Sequence, residues 1–358
     1  MAYYPDWAGD DFPPEKIDFS RFDWIDFAFA LPTRNATLTW DDPAVPGLLT
    51  RLVAAARSSC TEAHCTKVKL SIGGWTDSKY FSTLVGTDQL RKIFVQNIVK
   101  AYYQFNVNGI DIDWEYPGIQ GAGNNIVSAC DSANFLKFLQ LLRSALPPCA
   151  KITAATQTVP FAGPDGNPLE DVTAFAKVLD WILLMNYDVW GSSANPGPNA
   201  PLSDKCQNST QPTANAEAAL EAWTSAGFEA SQLVLGVPSY GYLSESKATR
   251  LRTRETGVVL NSDGGQIQFR ELVRQGALVC LPDGSFNGTG GFTRDFDECS
   301  STPYLWSGHQ VVTYDDPESL GLKAAFAKKM GMGGVNMFDV HGDTDGWDLV
   351  DAIRRFLL

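Results

Sequence analysis

The amino-acid sequence predicts a (β/α)8 barrel, the TIM-barrel fold, with a small α+β insertion after the seventh strand. The 358-residue chain carries eight short apolar runs, and helical patterns lie between most of them. Strands and helices in such repeated alternation are typical of a parallel barrel. A doubly wound sheet is the alternative. It more often has a Gly-rich phosphate loop after its first strand, and Tyr4-Pro5-Asp6-Trp7 does not resemble one.

The strands and helices can be placed along the chain one by one. Helical faces are formed by Leu90, Ile93, Phe94 and Ile98, and by Phe135, Phe138, Leu142 and Leu146. The predicted strands are Ala2–Tyr4, Trp24–Ala30, Val68–Ile72, Gly109–Trp114, Ile152–Gln157, Trp181–Tyr187, Leu233–Val237 and Gly334–Phe338.

The regular alternation breaks after Tyr240, where about 70 residues pass before the next convincing barrel helix. Residues alternate with period two in Gly257–Leu260, Gln266–Phe269 and Val311–Tyr314. We therefore predict a catalytic barrel formed by residues 1–240 and 311–358. Residues 241–310 are predicted to form the α+β insertion.

The composition limits the classes of ligand. With 41 acidic and 28 basic residues the net charge is −13, which disfavours nucleic acid and anionic membranes as partners. No apolar run approaches the roughly 20 residues of a membrane span. Three histidines and no metal-binding spacing argue against a zinc site. A neutral or cationic ligand and a monomer are expected.

The cysteines and three glycosylation sequons predict a secreted protein. The sequons begin at Asn35, Asn208 and Asn287, in polar, turn-rich stretches. Since Met1–Tyr4 leads directly into a strand, we expect that a signal peptide was removed and replaced by Met1. Seven cysteines suit an oxidising compartment. Free thiols throughout are the alternative. The expected pairs are Cys60–Cys65, Cys280–Cys299 across a Gly-rich turn, and Cys130–Cys206 at the catalytic rim of the barrel, with Cys149 free.

The fourth predicted strand carries three carboxylates. Because strand side chains alternate, Asp111, Asp113 and Glu115 share one face, while Ile112 and Trp114 face the helices. In a barrel the shared face is the interior, and Glu115 lies at the carboxyl end, where barrel chemistry occurs. Three inward carboxylates must share protons, so at least one pKa should rise and a general acid becomes available. A solvated edge strand is the alternative, which the interleaved apolar residues disfavour.

This segment resembles a known family. Asn108-Gly109-Ile110-Asp111-Ile112-Asp113-Trp114-Glu115 is similar to the D-G-x-D-x-D-x-E signature of glycoside hydrolase family 18, the chitinases. Further segments resemble other motifs of this family and occur along the chain in the same order as in the family. They are Ser71-Ile72-Gly73-Gly74-Trp75, Met185-Asn186-Tyr187-Asp188, Gly236-Val237-Pro238-Ser239-Tyr240-Gly241, Tyr314-Asp315-Asp316-Pro317 and Gly333-Gly334.

The resemblance implies a substrate-assisted, retaining mechanism without metal or cofactor. Glu115 would protonate the glycosidic oxygen, and the 2-acetamido group of the substrate would attack C1 to give an oxazolinium ion. Asp113 would orient the acetamido N–H, and Asp111 would share a proton with Asp113. Tyr187 would hold the acetamido oxygen, and Asp188 would contact the same sugar.

Substrate binding is expected to rely on aromatic stacking, because a neutral polysaccharide offers apolar sugar faces rather than charges. Trp24, Trp181 and Trp223 are interpreted as structural. The predicted substrate-binding residues, placed by strand ends or family motifs, are Tyr3, Phe29, Ser71, Trp75, Met185, Asp188, Trp190, Tyr240 and Phe338.

Three positions depart from the family pattern. Asn108 replaces the first acidic residue of the signature, outside the catalytic face. Tyr242 stands where an Arg often follows, and Phe338 stands where the family usually has Trp. Two alternatives to a chitinase remain: a non-catalytic chitin-binding lectin, which typically lacks the glutamate, and an endo-β-N-acetylglucosaminidase acting on N-glycans.

Overall fold

Strands and helices alternate along the chain as the sequence predicts. The structure, a computed structural model, describes residues 1–193, 195–245 and 265–358. The strands of these residues are β1 (Ala2–Pro5), β2 (Trp24–Pro32), β3 (Leu38–Thr39), β4 (Lys67–Gly73), β5 (Gly109–Asp113), β6 (Lys151–Thr156), β7 (Trp181–Leu184), β8 (Leu233–Pro238), β9 (Tyr240–Glu245), β10 (Gln266–Gln268), β11 (Leu278–Cys280), β12 (Phe286–Gly288), β13 (Thr293–Asp297), β14 (Thr302–Ser307), β15 (Gln310–Thr313) and β16 (Gly334–Phe338). The α-helices are α1 (Val45–Ser58), α2 (Phe81–Gly86), α3 (Asp88–Phe105), α4 (Asp131–Ala145), α5 (Thr173–Ala176), α6 (Ala216–Ser225), α7 (Phe269–Arg274), α8 (Pro317–Lys329) and α9 (Asp348–Leu357).

Eight strands form a closed parallel barrel with helices between them, which confirms the predicted fold class. Their order in the sheet is β1, β16, β8, β7, β6, β5, β4, β2, and β1 also pairs with β2. Each of the eight coincides with a predicted strand to within a few residues. The short strand β3 pairs antiparallel with β2 outside the ring.

The described residues divide into two compact units. The first comprises residues 1–184 and 222–234, and the second comprises residues 185–221 and 235–358. In the first unit, β5 lies between β4 and β6, and all five of its residues are buried. Trp114 follows β5 and packs between Phe81 of α2 and Phe135 of α4, at 5.3 Å between ring centroids in both pairs. Trp114 therefore faces the helices, as the alternation along this strand predicts.

The second unit contains antiparallel sheets. Five strands pair in the order β10, β9, β15, β14, β13, and β11 pairs with β12. The predicted period-two segments Gln266–Phe269 and Val311–Tyr314 fall largely on β10 and β15, whereas Gly257–Leu260 lies outside the described residues. The division of the chain at residues 240 and 311 into barrel and insertion stays a prediction.

The cysteine pairing differs in part from the expectation. Cys60–Cys65 is confirmed, but the second disulfide joins Cys206 to Cys299. The predicted pairs Cys130–Cys206 and Cys280–Cys299 are therefore wrong, as is the alternative of free thiols throughout, while Cys149 is free as predicted. The reason lies in the chain segment before Cys206. The backbone N–H of Lys205 donates to the carbonyl of Cys299 at 3.1 Å, which places the two cysteines side by side, with 5.3 Å between their Cα atoms.

Candidate active site

Asp111 lies inside the first unit and is held by three hydroxyl groups. It is 1% exposed. Its Oδ2 accepts hydrogen bonds from the Tyr3 hydroxyl at 2.9 Å and from Ser71 Oγ at 2.7 Å, and its Oδ1 accepts one from Thr153 Oγ1 at 2.5 Å. Hydrogen bonds donated to a carboxylate favour its charged form. The predicted residues Tyr3 and Ser71 therefore contact the first carboxylate of the series.

Asp113 is in the opposite situation. It is buried, and no hydrogen-bond partner for its Oδ1 lies among the described residues. Burial is the main cause that raises the pKa of Asp113 well above its ordinary value, and the nearby carboxyls of Glu115, Asp111 and Asp26 raise it further. These effects favour the protonated form of Asp113, in the direction expected for carboxyls crowded on one strand face.

The backbone of Glu115 is fixed just beyond the end of β5. Its N–H donates to Ser78 Oγ at 2.7 Å, and its carbonyl accepts from the Asn125 amide at 3.1 Å. The same Asn125 amide donates to the carbonyl of Trp75 at 3.0 Å. The Glu115 side chain is partly exposed, so it can meet a ligand while its main chain stays in place.

The glycine pair at the end of β4 permits a close approach to β5. A Cβ added to Gly73 would lie 2.1 Å from the carbonyl oxygen of Asp113, and Gly73 has a φ of +117°. The N–H of Gly74 donates to the same carbonyl at 2.9 Å. Any side chain at Gly73 would push the two strands apart, which gives the Ser71–Trp75 motif a physical reason.

Aromatic rings with exposed faces lie in the first unit. Trp75 is 53% exposed, and its ring centroid lies 6.5 Å from that of Tyr116. Trp7 is 60% exposed and lies 6.4 Å from the partly exposed Phe29. Trp7 was not among the predicted substrate-binding residues, although its place two residues past the end of β1 met the criterion used for the others. Tyr3, another predicted substrate-binding residue, is buried, and its hydroxyl donates to Asp111.

A second cluster lies in the second unit. The ring centroid of Tyr187 lies 6.1 Å from that of Phe338 and 6.4 Å from that of Tyr240. Asp188 is exposed, and its Oδ1 accepts hydrogen bonds from the hydroxyls of Tyr240 at 2.6 Å and Tyr242 at 2.7 Å. Burial raises the pKa of both tyrosines, and Asp188 raises them further, so both hydroxyls remain donors.

Tyr242 was also missed as a site residue, since the sequence showed only that an Arg is replaced there. The signal that could have found it is its period-two spacing from Tyr240, which puts both rings on one face of β9. Two further predicted residues, Met185 and Trp190, are partly exposed, and the Trp190 indole N–H donates to the carbonyl of Asn195 at 3.1 Å.

Within the part of the chain that the structure describes, no three His, Cys, Asp or Glu side chains are grouped to hold a metal ion. Among the same residues, no helix has the length and apolar character needed to span a membrane.

A closed barrel with a carboxylate series at the carboxyl end of one strand, and exposed aromatic rings nearby, defines the class of barrel glycoside hydrolases. The family model of glycosyl hydrolases family 18 matches residues 1–343. The chain belongs to this family.

Similar proteins were found by sequence and by structure. A chitinase-like effector of Moniliophthora roreri is 37% identical over 99% of this chain and 91% of the relative. A crystal structure of a chitinase from Rhizomucor miehei has a TM-score of 0.80 and 30% identity, covering 99% of this chain and 98% of the other. A class V chitinase from Nicotiana tobaccum, solved in complex with NAG4, has a TM-score of 0.79 at 22% identity, covering 99% and 97%, and shares the fold.

Proposed function

We propose that this protein hydrolyses the β-1,4 bonds of N-acetylglucosamine polymers, in chitin and in chito-oligosaccharides. The observation that carries the proposal is the carboxyl series of β5. Asp111 is held by three hydroxyls, Asp113 is buried with a raised pKa, and the partly exposed Glu115 follows. Membership of glycosyl hydrolases family 18 supports it independently.

The proposed mechanism is substrate-assisted and retaining. Glu115 donates a proton to the glycosidic oxygen while the acetamido carbonyl oxygen of the substrate attacks C1, and the leaving sugar departs with that proton. Asp113 hydrogen-bonds the acetamido N–H and stabilises the oxazolinium ion. Glu115, now a carboxylate, takes a proton from water as the water attacks C1 and reopens the ring with retention.

Other side chains bind and orient the substrate in this proposal. Tyr187 holds the acetamido oxygen, and Asp188 contacts the same sugar. The exposed rings of Trp7 and Trp75 supply apolar faces for further sugars. Phe338 keeps a stacking face but has less area than Trp and no N–H donor, so the same sugar is held less tightly there.

The role of Glu115 is tested by substitution. Glu115→Gln removes both the acid and the base, so kcat should fall by several powers of ten while oligosaccharide binding persists. Glu170→Gln, which changes an exposed glutamate of the same unit, is the matched control and should retain full activity. Rates on chitotetraose and thermal unfolding of each variant are the measurements. A Glu115→Gln variant with more than a tenth of the normal rate would exclude Glu115 as the proton donor.

The retaining mechanism has its own test. Proton NMR of the first products should show the β anomer at the new reducing end before mutarotation. An initial α anomer would contradict the oxazolinium route even if chitin is cleaved.

A second candidate function is chitin binding without cleavage. A chitinase-like effector is among the similar proteins, and that name states a likeness to chitinases only. The presence of Glu115 with both aspartates favours the enzyme. Incubation with chitin oligomers and with a high-mannose glycopeptide separates the candidates. Release of chitobiose from the oligomers alone supports the chitinase, cleavage of the glycopeptide supports an endo-β-N-acetylglucosaminidase, and binding without cleavage supports the lectin.

We also infer that the protein is a secreted glycoprotein that acts as a monomer. Asn35, Asn208 and Asn287 are all exposed, and two disulfides are formed. After expression through a secretory pathway, treatment with an N-glycan-removing amidase should lower the mass of the protein. Light scattering should give a mass near 39.0 kDa for the deglycosylated chain.

A further inference from the structure

We propose that Thr153 and Lys69 are positioning residues that keep the negative charge of the Asp111–Asp113 pair on Asp111 and the shared proton on Asp113. The inference rests on the proposed function for its consequence, but its structural basis lies entirely in the first unit. Neither residue was singled out from the sequence, because their proximity to Asp111 depends on the pairing of β4, β5 and β6.

Lys69 is a buried cation with a fixed position. Its Nζ lies 3.1 Å from Asp26 Oδ1, and both side chains are 1% exposed. The ammonium lies 4.5 Å from the ring centroid of Trp181 and 5.9 Å from that of Trp24. A buried ammonium needs such partners to remain charged, and two indole faces with a carboxylate supply them. Trp24 and Trp181, two of the three tryptophans interpreted as structural, therefore enclose a charge.

The hydrogen bonds that leave Lys69 have a fixed direction. Its Nζ lies 2.7 Å from Thr153 Oγ1, and an ammonium can only donate, so the threonine oxygen accepts. Thr153 has a single hydroxyl proton. Within the described residues, Asp111 Oδ1 lies 2.5 Å from that hydroxyl, so the proton is donated there. Asp111 Oδ1 is thus an acceptor and carries no proton.

The other oxygen of Asp111 is similarly occupied. Its Oδ2 accepts from Tyr3 and Ser71, so all three hydroxyls around the carboxyl point their protons at it. Three donated hydrogen bonds favour the charged form of this carboxyl. Since crowded carboxyls cannot all ionise together, the proton of the pair is held by Asp113, whose Oδ1 has no partner among the described residues.

The other titratable groups around the pair are few. Tyr3 reaches it from β1, Asp26 from β2 and Lys69 from β4, while Asp113 and Glu115 belong to its own segment. The β6 strand presents Thr153, which does not titrate. Among the described residues of the first unit, Lys69 is the cation whose ammonium reaches this cluster, and Thr153 links it to Asp111.

The test is a matched set of variants. Thr153→Val keeps the volume and removes the link, and Thr153→Ser restores the hydroxyl. Thr156→Val is the control, because Thr156 lies on the same strand and donates its hydroxyl to the carbonyl of Leu183, away from the acids. We expect Thr153→Val to lower kcat on chitotetraose about tenfold, with KM nearly unchanged. The acid limb of its kcat/KM profile should move to higher pH by about one unit, because a second proton then enters the pair more easily.

Lys69 is tested together with its partner. Lys69→Met alone leaves the Asp26 carboxylate buried and uncompensated, which strongly destabilises the fold. The double variant Asp26→Leu, Lys69→Met replaces the ion pair by apolar side chains, and we expect it to show the same shift of the acid limb as Thr153→Val.

Infrared titration provides a readout that does not depend on turnover. The band of protonated carboxyls is followed against pH and assigned with Asp111→Asn and Asp113→Asn. Loss of this band in Asp113→Asn but not in Asp111→Asn at neutral pH supports the inference. A band that persists in Asp113→Asn overturns it, as does an acid limb unchanged in Thr153→Val. If the wild-type protein cleaves no oligosaccharide, the proposed function fails, while the infrared result still decides where the proton lies.

Discussion

At the residue scale, Asp188 depends on two tyrosines of one strand. Both hydroxyls donate to the same oxygen, from Tyr240 and Tyr242, and the Gln266 amide in turn donates to the Tyr242 hydroxyl at 2.9 Å. The hydroxyl of Tyr242 therefore orients a carboxylate proposed to bind substrate. From the sequence, this position was noted only as a departure from the family pattern.

Removal of that hydroxyl should affect binding more than chemistry. Tyr242→Phe leaves one of two donors on Asp188, so we expect KM for chitotetraose to rise about three- to tenfold with kcat within a factor of two. Tyr103→Phe, on an exposed tyrosine of the first unit, is the control and should change neither. A Tyr242→Phe variant with normal KM would show that Tyr240 alone positions Asp188.

The exposed tryptophans allow a second prediction at this scale. Trp7→Ala and Trp75→Ala should each weaken binding of a long chito-oligosaccharide about tenfold, which is about 1.4 kcal/mol, because each removes a stacking face. Titration calorimetry on the Glu115→Gln background measures this without cleavage. Equal binding by Trp7→Ala and the unsubstituted background would remove Trp7 from the proposed substrate path.

The sequence could predict which site residues lie together when they share one strand. It could not predict contacts between residues on different strands. The alternation of β5 was enough to align Asp111, Asp113 and Glu115 on one face. Thr153 is the direct register partner of Asp111 on β6, but that pairing exists only once the two strands are aligned. The role of Lys69 was hidden for the same reason.

At the element scale, the Tyr314–Pro317 motif acts as a helix start. The Asp316 side chain accepts from the N–H groups of Glu318 and Ser319, and Ser319 Oγ accepts from the Asp316 N–H, which completes a capping box for α8. Lys323 forms a buried ion pair with Asp315 one turn further on. The motif is therefore explained by the folding of α8.

The two disulfides differ in what they contribute to stability. Cys206–Cys299 closes a separation of 93 residues and Cys60–Cys65 one of 5. The loop-closure argument predicts that the double variant Cys206→Ser, Cys299→Ser loses about 4.6 kcal/mol of unfolding free energy, against about 2 kcal/mol for Cys60→Ser, Cys65→Ser. Denaturant unfolding measures both.

Exposed Cys130 provides the control for this comparison, since Cys130→Ser should leave the unfolding free energy unchanged. If the two double variants lose equal stability, closure of the longer loop is not what stabilises the fold. The pairing itself was beyond the sequence, because it depends on the backbone hydrogen bonds that align residues 202 and 205 with residues 299 and 300.

At the scale of the whole molecule, buried carboxyls make stability depend on pH. Burial raises the pKa of Asp339 and of Asp343 to about 6, despite the backbone N–H groups that each accepts. The folded state therefore binds protons that the unfolded state releases, between about pH 4 and pH 6. Stability falls as pH rises through this window, by on the order of 2–3 kcal/mol for each carboxyl.

Other carboxyls make stability rise with pH, but only at lower pH. Arg51 lowers the pKa of Glu15 and Arg274 lowers that of Glu271, so their contributions are lost below about pH 4. We therefore expect the highest Tm near pH 4–5 and a lower Tm at pH 8. Asp343→Asn removes the titrating carboxyl and should flatten the dependence, although its single amide oxygen can replace only one of the two carboxylate oxygens that accept from the N–H groups of Leu349 and Val350. A Tm that is highest at pH 8 would contradict this assignment.

The fold as a whole was the most predictable level. Eight apolar runs and the intervening helical patterns suffice for a barrel because each βα unit buries its own strand, whatever the details of its loops. Period two in Gln266–Phe269 and Val311–Tyr314 indicated strands correctly but could not give their order in the sheet. That order depends on pairings between distant segments.

The lack of space for a side chain at Gly73 limits which residues can change as the family diverges. The constraint comes from the Asp113 carbonyl, so it applies to a relative that binds sugar as strictly as to one that cleaves it. A relative that no longer catalyses hydrolysis can therefore replace Glu115, but it must keep the glycine because the Asp113 carbonyl leaves no space for a side chain. Searches that rely on the glycine motif will collect active and inactive descendants alike, and sorting them requires the acid two residues beyond Asp113.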